Sequence, residues 1–123
     1  MKILHEAIII DDEVYAIDEL CKALKKYDTI LVSGIATNIE AGRKLIMEKH
    51  PGLLFLDVEL SGTTAMTFLS EIRESITWNM QVVFYTSYSK YMIHAIRGAI
   101  FDFLRKPIDS SELDIIIERF IQS

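Results

Sequence analysis

Cysteine occurs once in these 123 residues, at Cys21, so no disulfide staple holds the chain and its stability must come from a hydrophobic core. At 14.1 kDa it is one domain, large enough to bury roughly two thirds of its unfolded surface. Cys21 falls on the apolar stripe of a predicted helix, where a buried, reduced thiol is expected, and a reducing, cytoplasmic compartment follows. Basic residues are outnumbered, 13 Lys and Arg against 18 Asp and Glu for a net charge of −5. The nearest basic cluster, Lys22, Lys25 and Lys26, reads as a solvated helix face, so the domain is expected to make no direct nucleic-acid contact. No apolar run approaches the ~18 residues a membrane span requires, and because AIII runs straight into Asp11 no signal region is expected behind Met1 to His5. Internal repeats, low-complexity stretches and linkers are also lacking, and any second domain is expected beyond Ser123.

What the chain does have is apolar residues, 50% of the total with a mean hydropathy of +0.25. That suits a sheet buried on both faces. Periodicity predicts strand 1 over residues 6–10 and helix 1 over 13–27, with Val14, Ile17, Leu20, Cys21 and Leu24 on one face. Strand 2 follows over 30–36; Asn38 caps helix 2, which His50, Pro51 and Gly52 end. Strand 3 is placed at 53–57, helix 3 at 64–75, strand 4 at 81–85, helix 4 at 89–97, strand 5 at 100–104 and helix 5 at 110–121, capped by Asp109 or Ser110. Five β-α units with continuous Ile, Leu, Val and Phe strands imply a single flavodoxin-like (βα)5 domain of the α/β class, doubly wound, with strand order 2-1-3-4-5.

Four strand-like runs end in polar residues suited to a phosphoryl group or its metal: AIII before Asp11 and Asp12, LLFL before Asp57, VVFY before Thr86, and FDFLR before Lys106. In an open parallel sheet all carboxyl ends of the strands share one edge, so these residues converge. Asp11, Asp12 and Glu13 could merely cap helix 1 and complement its dipole. Asp57, across the switch point between strands 1 and 3, argues for more: carboxylates that close repel one another unless a hard cation lies between them, and carboxylates with waters and phosphate oxygens are the preference of Mg²⁺. Lys106, before Pro107, could be a solvated surface charge; facing an acidic pocket, it would pair with Asp57 at rest and with a phosphoryl oxygen after transfer. Thr86 adds a hydroxyl. A tight turn holding the ammonium over the pocket makes a cis bond between Lys106 and Pro107 the expectation.

The segments IIIDDE, LLFLDVEL, VVFYTSY and FDFLRKPID resemble the four signature segments of response-regulator receiver domains of bacterial two-component systems, over nearly the whole chain. The resemblance implies that Asp57 is the phosphoacceptor, supplied by a sensor histidine kinase. It implies Asp12 as a direct Mg²⁺ ligand, Asp11 as a ligand through water, and the Glu59 backbone carbonyl as a further ligand beside Asp57. Thr86 and Lys106 then contact the phosphoryl group, Phe103 is the aromatic switch, and Val58, Glu59, Ser87 and Tyr88 surround the pocket. The stretch FYTSYSKYMIHAIRGAIFDFLRKPI is similar to receivers joined to LytTR-type DNA-binding domains, the LytR/AlgR-like subfamily, which implies an output in transcription. Two residues depart from the pattern: Ser61 where Pro is common, and Ala65 where Gly is common and a positive φ would strain the loop.

Other residues have plainer readings. His5, His50 and His94 lack metal-ligand spacing. Phe84, Tyr85, Tyr91, Phe101 and Phe103 read mainly as core. Ile115, Ile116 and Ile117 cannot all face inward, so at least one is expected to face a partner. With Ile93 and Ile96, Ile115 and Ile116 suggest that the face of predicted helix 4, strand 5 and helix 5 forms a phosphorylation-dependent homodimer. An Asp-nucleophile phosphohydrolase is a rival class, but the first strand lacks D-x-D-x-[TV] and no cap domain is expected. A binding-only receiver and a stand-alone phosphorelay domain are further alternatives.

Overall fold

The computed structural model describes residues 3–60, 63–87 and 102–123. Five strands, β1 (His5–Ile10), β2 (Ile30–Ala36), β3 (Leu53–Leu56), β6 (Gln81–Thr86) and β7 (Asp102–Arg105), form one sheet in the order β2-β1-β3-β6-β7. Every neighbouring pair in it is parallel. Counted along the chain, the order is 2-1-3-4-5, as the alternating pattern predicts. Among the described residues the helices are α1 (Val14–Leu24), α2 (Ile39–Lys49), α3 (Ala65–Arg73) and α4 (Ser110–Gln122). Predicted helix 4, with Ile93 and Ile96, lies outside the described residues. A small antiparallel hairpin that periodicity does not reveal, β4 (Glu59–Leu60) with β5 (Thr63–Thr64), follows β3. Two-residue strands are too short to show a period.

Strand alternation sorts the core onto two faces. Ala7 and Ile9 point to the side of α1 and α4, joining Leu20, Phe55 and Phe120, while Ile8 and Ile10 join Ile46, Leu56 and Phe68 under α2 and α3. Both faces are covered, which is why the strands read as unbroken apolar runs. No described helix is long and apolar enough to cross a membrane.

Helix ends follow local chemistry. Asn38 Oδ1 accepts a 2.9 Å hydrogen bond from the Ala41 amide and caps α2. That helix ends at His50 in the left-handed region at φ 48°, the one non-glycine residue described there. Asp109 caps α4, accepting from the Ser111 amide at 2.8 Å. Ala65 has no positive φ and is buried at the start of α3, so the common glycine is not needed.

Four expectations need correction. Helix α1 stops at Leu24 rather than residue 27, because Lys25 and Tyr27 bond three residues back and tighten the chain into turns. Val14 is 73% exposed: as the first helical residue it stands at the strand exits rather than over the sheet, and the buried face is Ala16, Ile17, Leu20 and Leu24. Cys21 is only part-buried at the margin of that face. In α4, Ile116 and Ile117 are buried and Ile115 is exposed, so Ile116 belongs to the core and not to an outer patch.

Candidate functional site

Ladder bonds that run past the strand ends position the acids. The Asp11 amide donates to Ala36 O at 3.0 Å and the Asp57 amide to Ile10 O at 3.0 Å, so both residues are held where β1 and β3 leave the sheet. Asp11 is fully buried, Asp57 is buried and Asp12 is exposed. Asp11 Oδ1 accepts from the Glu13 amide at 2.9 Å, and Asp57 Oδ1 from the Glu59 amide at 3.1 Å. In both acids the second oxygen remains directed into the pocket edge, where Lys106 meets it.

Lys106 comes from the far strand. Its amide donates to Thr86 O at 2.9 Å, which ties the exits of β6 and β7 together, and its bond to Pro107 is cis, as expected. The ammonium lies 2.7 Å from Asp11 Oδ2, 2.9 Å from Glu13 Oε1 and 3.6 Å from Asp57 Oδ2. The expected resting pair with Asp57 is therefore shared, and the shorter contacts go to Asp11 and Glu13. With its side chain 11% exposed, Lys106 is no solvated surface charge. Burial acts to lower its pKa, but Asp11 and Glu13 outweigh that and hold it above the ordinary value. Burial pushes the Asp57 carboxyl up to about 6; Asp11 adds to the rise, and the Glu59 amide and Lys106 oppose it.

Thr86 is buried at the end of β6. Phe103 is half-buried, paired in register with Phe84 and packed on the α2 and α3 side. Val58 is half-buried, while Glu59 and Ser87 are exposed. Tyr88 lies outside the described residues. Two neighbours of Lys106 escape a reading by sequence pattern. Glu13, taken as part of a helix start, forms an ion pair, and Tyr85, taken as core, lies under the ammonium with its ring centroid 4.9 Å away. Tyr85's adjacency to Thr86 is the only signal that could have marked it.

Asp11, Asp12 and Asp57 each offer a carboxylate oxygen, all within 4.8 Å of one another. Asp11 Oδ2 is buried and accepts no aligned hydrogen bond, although the Lys106 charge stands beside it. Three hard oxygen donors, one of them lacking a directed partner, suit a small divalent cation.

The model of the response regulator receiver domain matches residues 7–118. The chain is 35% identical over 114 residues to an uncharacterized response regulatory protein of Vibrio parahaemolyticus, covering 92% of this chain and 46% of that protein. It is 32% identical over 113 residues to the sensory transduction protein LytT of Bacillus subtilis, covering 92% of this chain and 46% of LytT. The chain thus spans about half the length of the curated relatives it matches. The response regulatory domain of protein mrkE from Klebsiella pneumoniae superposes with a TM-score of 0.81 at 19% identity, covering 95% of each chain, a likeness of fold. With its sheet order, its acidic strand exits and the family match over residues 7–118, this chain belongs to the response regulator receiver domains.

Proposed function

We propose that Asp57 accepts a phosphoryl group from the phosphohistidine of a sensor histidine kinase. The observation that carries this reading is the meeting of Asp57 with Asp11, Asp12 and Lys106 at one sheet edge. Asp57 Oδ2 is the attacking atom: an Oδ–P bond forms in line as the P–N bond to histidine breaks, and the released electron pair stays on the imidazole nitrogen, which takes up a proton. Lys106 neutralises charge on the phosphoryl oxygens, and the Thr86 hydroxyl donates to one of them. Asp11, Asp12, Asp57 and the Glu59 carbonyl would hold Mg²⁺, which supplies charge neutralisation at the phosphoryl oxygens. The product is an acyl phosphate on Asp57, and the domain acts on no other substrate.

Phosphorylation then shifts a two-state equilibrium, with Thr86 and Phe103 carrying the change to the face of β7 and α4. Exposed Ile115 on that face supports a phosphorylation-dependent homodimer in the cytoplasm. An output domain beyond Ser123, of the LytTR DNA-binding type, would turn dimerisation into control of transcription.

Intact-mass analysis after acetyl phosphate and Mg²⁺ should show one added phosphoryl group. Asp57→Asn should abolish it, and persistence of the adduct in that variant would move the acceptor elsewhere. Sedimentation with beryllofluoride and Mg²⁺ should show dimers that Ile115→Glu prevents; an activated protein that stays monomeric at tens of micromolar would overturn the dimer.

A further inference from the structure

Tyr85 precedes Thr86 on β6 and, by strand alternation, projects to the opposite sheet face, into the core beneath α1 and α4. It is 1% exposed, and its hydroxyl donates a 2.9 Å hydrogen bond to the Ala16 carbonyl in the first turn of α1. That bond ties β6 to the helix that follows the acidic segment. The Lys106 ammonium stands 4.9 Å from the Tyr85 ring centroid, within the ~6 Å over which a ring quadrupole attracts a cation. A lysine has four rotatable methylenes, and three carboxylates draw this one at 2.7, 2.9 and 3.6 Å. Attraction by carboxylates alone leaves such a side chain free to follow whichever acid is least neutralised. A rigid ring at a fixed height removes that freedom.

We propose that Tyr85 is a positioning residue for Lys106: its ring, anchored through the hydroxyl to Ala16, is the platform that holds the ammonium at the Asp57 edge of the pocket, ready for a phosphoryl oxygen. The proposal rests on the phosphoacceptor reading of Asp57. Tyr85 touches no reacting atom. Burial and the surrounding acids hold its phenol above the ordinary pKa, so it remains a neutral donor and a neutral ring. Its hydroxyl serves the anchor and its ring serves the ammonium, which makes the two parts separable.

The test compares Tyr85→Leu, which removes the ring, with Tyr85→Phe, which keeps it. The ε-methylene protons of Lys106 should be shifted upfield by the ring in wild type and Tyr85→Phe, and should return to an ordinary lysine position in Tyr85→Leu. The phosphorylation rate with acetyl phosphate and Mg²⁺ should fall about three- to tenfold in Tyr85→Leu. Mg²⁺ affinity, read by titration without phosphodonor, should stay within about twofold, and Tyr85→Leu should cost nothing further in a Lys106→Ala background. A parallel loss of Mg²⁺ affinity, a full additional loss in the Lys106→Ala background, or an unchanged rate in folded Tyr85→Leu would each reduce Tyr85 to core packing. If Tyr85→Leu does not fold, Tyr85→Met fills the volume without a ring and carries the same expectations. A wild-type protein that gains no phosphoryl group on Asp57 overturns the phosphoacceptor reading; the proton shifts then still decide whether the ring holds Lys106.

Discussion

A Cβ on Gly42 would stand 2.4 Å from Cδ1 of Ile10 and 2.9 Å from its Cγ1. The helix α2 therefore approaches β1 as closely as it does only because residue 42 has no side chain, and the residue it presses on directly precedes Asp11. Ile10 is fully buried, so any shift of its side chain must displace packed neighbours. Gly42→Ala should be destabilising by about 1–2 kcal/mol, the overpacking cost exceeding the ~1 kcal/mol that alanine contributes inside a helix. Denaturant titration measures this, and Ile10→Val, which deletes Cδ1, should recover part of the loss when combined with it. A more stable Gly42→Ala would mean that Ile10 has room to move.

Asp57→Asn should stabilise the metal-free protein. The Asp57 carboxyl is raised by burial from 3.8 to about 6, so between those values the folded state binds more protons than the unfolded state and stability falls as pH rises. The cost of the buried charge is absent below the lower value and fully present above the higher one. At pH 7.5 the variant should be more stable than wild type by on the order of 1–3 kcal/mol, and the gap should close as pH approaches 4. Urea midpoints in EDTA across pH 4 to 8 would show it; a gap that widens toward acid would contradict the sign.

Asn38→Ala should cost about 1 kcal/mol, and Asn38→Gly only a few tenths, because the Ala41 amide loses its side-chain acceptor while glycine keeps the extended cap accessible. Asp109→Ala should cost a similar amount at α4, where the Ser111 and Glu112 amides share one carboxylate oxygen. Thermal melts of the three variants check this, and a neutral Asn38→Ala would show that water caps α2 equally well.

Adjacent isoleucines in α4 should behave oppositely. Ile115 is 57% exposed and Ile116 is 3% exposed, so Ile115→Ala should change stability by no more than about 0.5 kcal/mol while Ile116→Ala costs about 2–4. Unfolding of the unphosphorylated protein is the measurement. A large loss at Ile115 would show that it is already covered by a second copy at rest.

The strand runs, their order and the convergence of Asp11, Asp12, Asp57, Thr86 and Lys106 at one edge were legible in the sequence. Parallel strands buried on both faces must be apolar throughout, so the polar residue that ends each run marks the edge by contrast. The caps at Asn38 and Asp109 were legible for the same local reason, since the bond spans only two or three residues. Which side chains pair within and beneath that pocket was decided by the tertiary structure alone. Lys106 reaches Glu13 across 93 positions and Tyr85 reaches Ala16 across 69, and no pattern of neighbours encodes such a distance. The same holds for Val14, apolar and in register with its helix face yet exposed, because burial depends on where the helix begins relative to the sheet. Periodicity reports which residues share a face; only packing decides what that face meets, because the chain is linear and the pocket is not.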